Sequence, residues 1–216
     1  MVTRDISAMN KILLVGDSIS LHYGPYLSNY LNEKAELHTK EGRQLAFSDL
    51  DHPVGGNGGD SHMVLSYLSE RDVKDDLDFD LFIFNCGLHD IKRLGDGDCQ
   101  ISEEDYRKHL TQIVQLMAKR QLKTVFITST PIDDEKHNAR KQLGFTRYNK
   151  DVCRYNQIAG EVMRAHEISL IDLGRFTAGL DDELFVDHAH FQEHVRKLQA
   201  SYIAGALSAY MEPYMR

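Results

Sequence analysis

The sequence predicts an α/β fold in which a parallel sheet is covered by helices on both faces, as one domain spanning residues 1–216. Three observations carry that reading. Apolar runs of strand length recur along the chain, nearly unbroken, as expected when both faces of a sheet are buried. Stripes at helical spacing lie between them. The length, 216 residues, suits one large domain that can bury its core without disulfides or metal.

The runs are Lys11–Val15, Leu81–Asn85, Thr124–Thr128 and Ile168–Ile171, with Ala35–Thr39 alternating polar and apolar as an edge strand would. Pro25 suits the first turn of a helix continuing through Tyr26–Asn32. Asp60–Leu68 carries Met63, Val64, Tyr67 and Leu68 on one side. Ser102 can cap a helix whose stripe is Tyr106, Leu110, Ile113, Val114 and Met117. Arg147–His166 buries Val152, Tyr155, Ile158, Ala159 and Val162, and a last helix shows Phe191, Val195, Leu198, Tyr202, Ile203 and Ala206. Strands alternating with helices imply right-handed crossovers. Ligands in such sheets bind beyond the carboxyl ends of the strands, so chemistry is expected just after Val15, Asn85, Thr128 and Ile171.

Composition narrows the function classes. A net charge of -8 argues against a nucleic-acid partner and against an anionic membrane surface. No stretch is apolar enough to span a bilayer, and Met1 to Asn10 lacks the apolar region of a secretory signal. Three cysteines, Cys86, Cys99 and Cys153, form neither a disulfide framework nor a zinc spacing. A reducing cytoplasm is the expected compartment. Cys86 ends an apolar run and is expected to pack in the core.

Four segments fall where the fold places a site. The first strand ends in Gly16-Asp17-Ser18, with Gly16 allowing a sharp turn and Ser18 opening a helical turn. Backbone N–H groups there can bind a developing oxyanion. Taken alone, the triplet fits a serine that merely caps a helix better than it fits a nucleophile. Near the far end stands Asp187-His188-Ala189-His190, in which a carboxylate three residues before a histidine can orient its ring. A serine hydroxyl needs such a base. A solvated acidic loop fits the same residues. Gly55-Gly56-Asn57-Gly58-Gly59-Asp60-Ser61 is a glycine-rich entrance to a helix that lacks the Lys of a phosphate-binding loop. Gly87-Leu88-His89-Asp90 follows the third strand.

Together these segments resemble the sequence blocks of the SGNH (GDSL-type) hydrolases, from Lys11 to about Leu207. The resemblance implies a three-layer α/β/α sandwich of about five parallel strands in the flavodoxin-like order 2-1-3-4-5. It implies a serine esterase needing no cofactor or metal. Its substrate would be a small-molecule or carbohydrate ester. Ser18 is the implied nucleophile, with Asp187 and His190 completing the triad and the N–H groups of Ser18 and Gly59 in the oxyanion hole. The departure is His89, which stands where the family carries the Asn of that hole. Thr128-Ser129-Thr130-Pro131 is similar to the family's fourth-strand ending, and Asp151-Val152-Cys153-Arg154-Tyr155-Asn156 to its next helix.

Two other functions remain open. A metal-dependent phosphoesterase would use Asp17, Asp90, His188 and His190 as ligands, although its Asp-x-His opening is missing. A catalytically silent binding module on the same fold is the second. Pro131–Arg147 is the longest irregular stretch; its charges suit a specificity loop for a short-acyl or carbohydrate ester. Asp17 and Asp90 are expected to brace their loops, and His188 and His194 to lie at the surface.

Overall fold

The computed structural model describes residues 10–95, 97–180 and 183–211; the reading of Met1 to Asn10 falls almost wholly outside them. Five strands form one parallel sheet: β1 (Asn10–Val15), β2 (Ala35–Thr39), β3 (Leu81–Phe84), β4 (Lys123–Ile127) and β5 (Ser169–Ile171). Their order is β2-β1-β3-β4-β5, the flavodoxin-like arrangement. Register pairs Leu13 with Phe82 and Val15 with Phe84, and Phe84 in turn with Phe126. The central strands are buried throughout at Ile12–Val15 and Leu81–Phe84, whereas β2, at the edge of the sheet, is buried only at Ala35.

Eight helices are described: α1 (Ser18–Leu31), α2 (Arg43–Ala46), α3 (Ser61–Val73), α4 (Glu103–Lys119), α5 (Asp134–Ala139), α6 (Asn149–Ala165), α7 (Leu173–Ala178) and α8 (Glu193–Met211). α1 packs on α8, and α3, α4 and α6 pack in series, so the sheet has a helical layer on each face. The order reverses between β1 and β3, since the crossover through α1 leaves β1 one way and later crossovers leave it the other. The topological switch point therefore lies beyond Val15 and Phe84, where ligands of such sheets bind in a crevice. The predicted stripe of α4, from Tyr106 to Met117, is buried as expected, and Ser102 caps its first turn by accepting from the Asp105 N–H at 3.1 Å. Aromatic packing stiffens the floor of the crevice: Phe84 stacks on Phe82 at 5.1 Å and meets Phe126 edge-on at 5.0 Å.

Three expectations need correction. Pro25 does not begin a helix; it sits inside α1, which starts seven residues earlier at Ser18. A proline there cannot donate to the carbonyl of Leu21. Arg43 of α2 does so instead, its guanidinium donating to Leu21 O at 3.2 Å, so the interruption is repaired from outside the helix. The stretch Pro131–Arg147 is not simply irregular, because it contains α5 and a 3-10 turn at Lys141–Leu143. Asp133 explains α5: its side chain accepts from the Lys136 N–H at 3.0 Å as an N-cap. His188, expected at the surface, is buried. Cys86 is buried in the core as expected.

Candidate active site

Asp17 is the N-cap of α1, accepting from the Ile19 N–H at 2.9 Å, so Ser18 is the first residue of the helix. Its N–H therefore has no acceptor inside α1 and faces the crevice end of the sheet. Gly16 serves this turn through space, since its φ is not in the left-handed region. A Cβ there would lie 2.9 Å from both Cβ and Oγ of Ser20. Ser18 itself is 6% exposed.

The loop before α8 brings in the other two residues, His190 from 172 positions away. Asp187 Oδ1 accepts from the backbone N–H groups of Ala189 and His190, each at 2.8 Å, which folds the segment into a tight turn. His190 Nδ1 meets Asp187 Oδ2 at 2.8 Å, and His190 Nε2 meets Ser18 Oγ at 2.9 Å. Burial alone would push the Asp187 carboxyl up. The His190 ring and the two backbone donors outweigh it and hold that carboxyl well below the usual range. A carboxylate can only accept, so Nδ1 carries the proton and Nε2 is left to accept from the Ser18 hydroxyl. This is the tautomer a general base requires.

His22 belongs to the same site and was missed in the sequence. It lies one helical turn after Ser18 on α1, and its ring meets that of His190 edge-on at 5.1 Å. Burial first, then repulsion from Arg196 and His190, push its pKa down to about 3, so it covers the base as a neutral wall. The i, i+4 spacing from Ser18 was the available signal.

Opposite lie the segments holding Gly59 and His89. Gly59 has φ +74°, and a Cβ would strike Met63 Sδ at 2.5 Å, so both backbone and space demand glycine. Its N–H donates to Asn57 Oδ1 at 3.0 Å, so any oxyanion contact from Gly59 has to be shared with that bond. His89 is 2% exposed, and its Nδ1 is buried without a hydrogen-bond partner. Burial first, then the charges of Arg147, Lys92, His190 and His52, hold its pKa well below the usual value. The ring is neutral and keeps one N–H to donate.

Asp17 and Asp90 brace as expected: Asp90 Oδ1 accepts from the Ser61 N–H at 2.9 Å, tying the loop after β3 to the start of α3. Burial pushes the Asp90 pKa up to about 7 against the Ser61 hydrogen bonds, with Asp60 adding repulsion. His188 faces away from Ser18: its Nδ1 lies 2.7 Å from His137 Nδ1 and its Nε2 3.5 Å from Asp51 Oδ1. Of the four ligands a phosphoesterase would need, His190 is held between Asp187 and Ser18 and His188 is turned toward His137 and Asp51. Among the described residues no three His, Cys, Asp or Glu side chains converge as a metal site.

A parallel five-stranded sheet with a Ser-His-Asp relay at its switch point defines the class of fold and site. No family model matches the chain, and no curated protein matches it either. Solved structures do. A lipase/acylhydrolase from Enterococcus faecalis is 21% identical with a TM-score of 0.65, covering 96% of this chain and 100% of that one. A carbohydrate acetylesterase from Sinorhizobium meliloti is 12% identical with a TM-score of 0.65, covering 93% and 99%. A GDSL-like lipase from Bacteroides thetaiotaomicron is 12% identical with a TM-score of 0.65, covering 93% and 89%. The chain shares their α/β fold over nearly its whole length. No helix among the described residues is long and apolar enough to cross a membrane.

Proposed function

We propose that the chain is a serine esterase of the SGNH hydrolase superfamily, cleaving a carboxylic ester through an acyl-enzyme. The observation that carries this reading is the unbroken relay Asp187–His190–Ser18, with hydrogen bonds of 2.8 and 2.9 Å in the correct tautomer. Ser18 Oγ attacks the ester carbonyl while His190 Nε2 takes its proton, and Asp187 stabilises the resulting imidazolium. The tetrahedral oxyanion forms beside the Ser18 N–H, which the start of α1 leaves available. The Gly59 N–H, shared with Asn57, and a ring N–H of His89 complete the hole. His190 then protonates the departing alcohol, and water repeats the sequence on the acyl-enzyme.

A short-acyl or carbohydrate ester is the preferred substrate. The polar wall around the crevice and the charged segment 131–147 support it, as do fold relatives described as carbohydrate acetylesterase and lipase/acylhydrolase. The test is a series of p-nitrophenyl esters of rising chain length, followed by acetylated sugars, each with and without EDTA. Acetate and butyrate should turn over fastest, with EDTA making no difference. Activity restricted to phosphate esters and abolished by EDTA would overturn the proposal.

A further inference from the structure

Beside the relay stands a group of cations that the ester chemistry does not use. Arg147 is 3% exposed and its backbone is clamped at both polar atoms by Asn138, whose Oδ1 accepts from the Arg147 N–H at 3.2 Å and whose Nδ2 donates to the Arg147 carbonyl at 2.9 Å. The side chain is therefore aimed by a fixed main chain at the end of segment 131–147. Its guanidinium lies 4.8 Å from the centre of the Phe145 ring, and Lys92 Nζ lies 4.6 Å from the same centre. Two like charges are thus gathered around one aromatic ring.

What faces them is meagre. The guanidinium donates no hydrogen bond to any described residue, and its Nε is buried without a partner. Asp51 Oδ1 is the carboxylate closest to it, at 3.9 Å, and that same oxygen faces His188 Nε2 at 3.5 Å. Lys92 spends one N–H on the Asp51 backbone carbonyl at 2.6 Å. A buried arginine normally has its planar fork filled by a carboxylate or by carbonyls, because desolvating the charge without a partner is costly. Here Nε has no partner and Nη1 faces only Asp51, at 3.9 Å. The group also adjoins the catalytic centre, since the His188 ring that touches Asp51 lies 6.1 Å from the His190 ring. Arg147 is close enough for its charge to act on Asp17, beside the nucleophile, and on His89.

We infer that Arg147, assisted by Lys92, binds a carboxylate carried by the substrate, so that the enzyme acts on O-acyl esters of acidic sugars in preference to neutral ones. The inference rests on the esterase reading and names its substrate class. A planar carboxylate fits the guanidinium fork with two parallel hydrogen bonds, and the ammonium supplies a third donor. Phe145 supplies a wall on which the two cationic heads are stacked. Asp51, held to His188 on its other side, sets the position of the guanidinium without filling its fork.

Two measurements test this. The first compares kcat/KM for an O-acetylated methyl hexuronate with that for the same acetylated methyl hexoside, in wild type and in Arg147→Gln, Arg147→Lys and Lys92→Met. Wild type should favour the hexuronate by about ten- to a hundredfold, the range for a hydrogen-bonded charge pair. Arg147→Gln should bring that ratio close to one, with Arg147→Lys and Lys92→Met between. The second needs no variant of the cluster: binding of methyl hexuronate and methyl hexoside, neither acetylated, to wild type by calorimetry. The acid should bind more tightly by a similar factor, and the difference should shrink as salt is raised. Equal affinities together with a wild-type ratio near one overturn the inference while leaving a cleaved neutral ester, and hence the esterase reading, intact. Selective hexuronate binding without any ester turnover would keep the subsite and remove the esterase.

Discussion

The two walls of the crevice are built differently. On one side the side chains of Ser18, His190 and Asp187 form a closed line of hydrogen bonds in the resting protein. On the other, buried nitrogens of Asn57, His89 and Arg147 have none. Buried polar groups without partners are uncommon and destabilising; Asp17 Oδ2 and His22 Nδ1 beside the triad also lack one, but no side-chain atom of the triad itself does. On the proposed reading the paired wall is machinery preorganised before substrate arrives, and the unpaired one is matched to what arrives with it: oxyanion charge at His89, and a substrate carboxylate at Arg147.

The contrast can be broken from either side. Ser18→Ala should have the largest effect, removing ester turnover by about a millionfold, the scale seen when a triad nucleophile is lost. Asp187→Asn should cost up to about ten-thousandfold, because an amide donating to Nδ1 would impose the wrong tautomer on His190. Steady-state kinetics on folded variants, checked by circular dichroism, read both. Turnover within tenfold of wild type in Ser18→Ala would remove the paired wall from the mechanism.

His89 tests the opposite wall. His89→Ala should lower kcat by about 10²–10³, roughly 2.7–4 kcal/mol, with KM little changed, because the contact matters mainly in the transition state. His89→Asn, which restores the amide of the family pattern, should recover much of the loss. An alanine variant with unaltered kcat would leave the hole to the backbone donors of Ser18 and Gly59.

Asp90 sharpens the comparison through stability. Its pKa, raised from 3.8 to about 7 by burial, means that the folded state holds a proton that the unfolded chain releases. That contribution is fully present below about pH 4 and is lost as pH rises through 7. Asp90→Asn keeps an acceptor for the Ser61 N–H but cannot ionise. Its stability relative to wild type should therefore improve by up to about 4 kcal/mol between pH 4 and 7, at 1.36 kcal/mol per unit. Denaturant unfolding at both pH values measures it, and a constant difference would show that folding leaves the Asp90 pKa unshifted.

The smallest expected effect lies behind the site. Arg43→Met leaves the Leu21 carbonyl without its donor and should cost about 1 kcal/mol in unfolding free energy. Adding Pro25→Ala supplies a helical N–H to that carbonyl, so the double variant should be less destabilised than Arg43→Met alone. Strict additivity in this cycle would deny the repair.

Much of this was legible in the sequence, for physical reasons that differ by segment. The buried strands declared themselves because a doubly covered sheet needs unbroken apolar runs, and Ala35–Thr39 matched its strand residue for residue. Ser18, Gly59, His89, Asp187 and His190 were singled out because their short motifs together resemble one family's blocks, and the structure brings Ser18, His190 and Asp187 into hydrogen-bonding contact. The start of α1 was misplaced because Pro25 reads locally as a first turn, and its repair by Arg43 is a tertiary contact that no local pattern reveals. His188 looked like a surface residue because its partners, His137 and Asp51, are far away in sequence. Arg147 entered the sequence reading only as the boundary between the irregular stretch and the next helix. Its burial depends on Asn138 and Phe145 folding around it, which spacing alone does not encode.

The central claim is that Ser18 forms a covalent intermediate, and labelling tests it most directly. The protein is treated with a fluorophosphonate and digested, and the adduct is located by tandem mass spectrometry. A single adduct on Ser18 is expected, suppressed by prior incubation with a turned-over ester and absent from both Ser18→Ala and heat-unfolded protein. Folded protein that hydrolyses esters without acquiring the label on Ser18, or that carries it on another residue, would contradict the account.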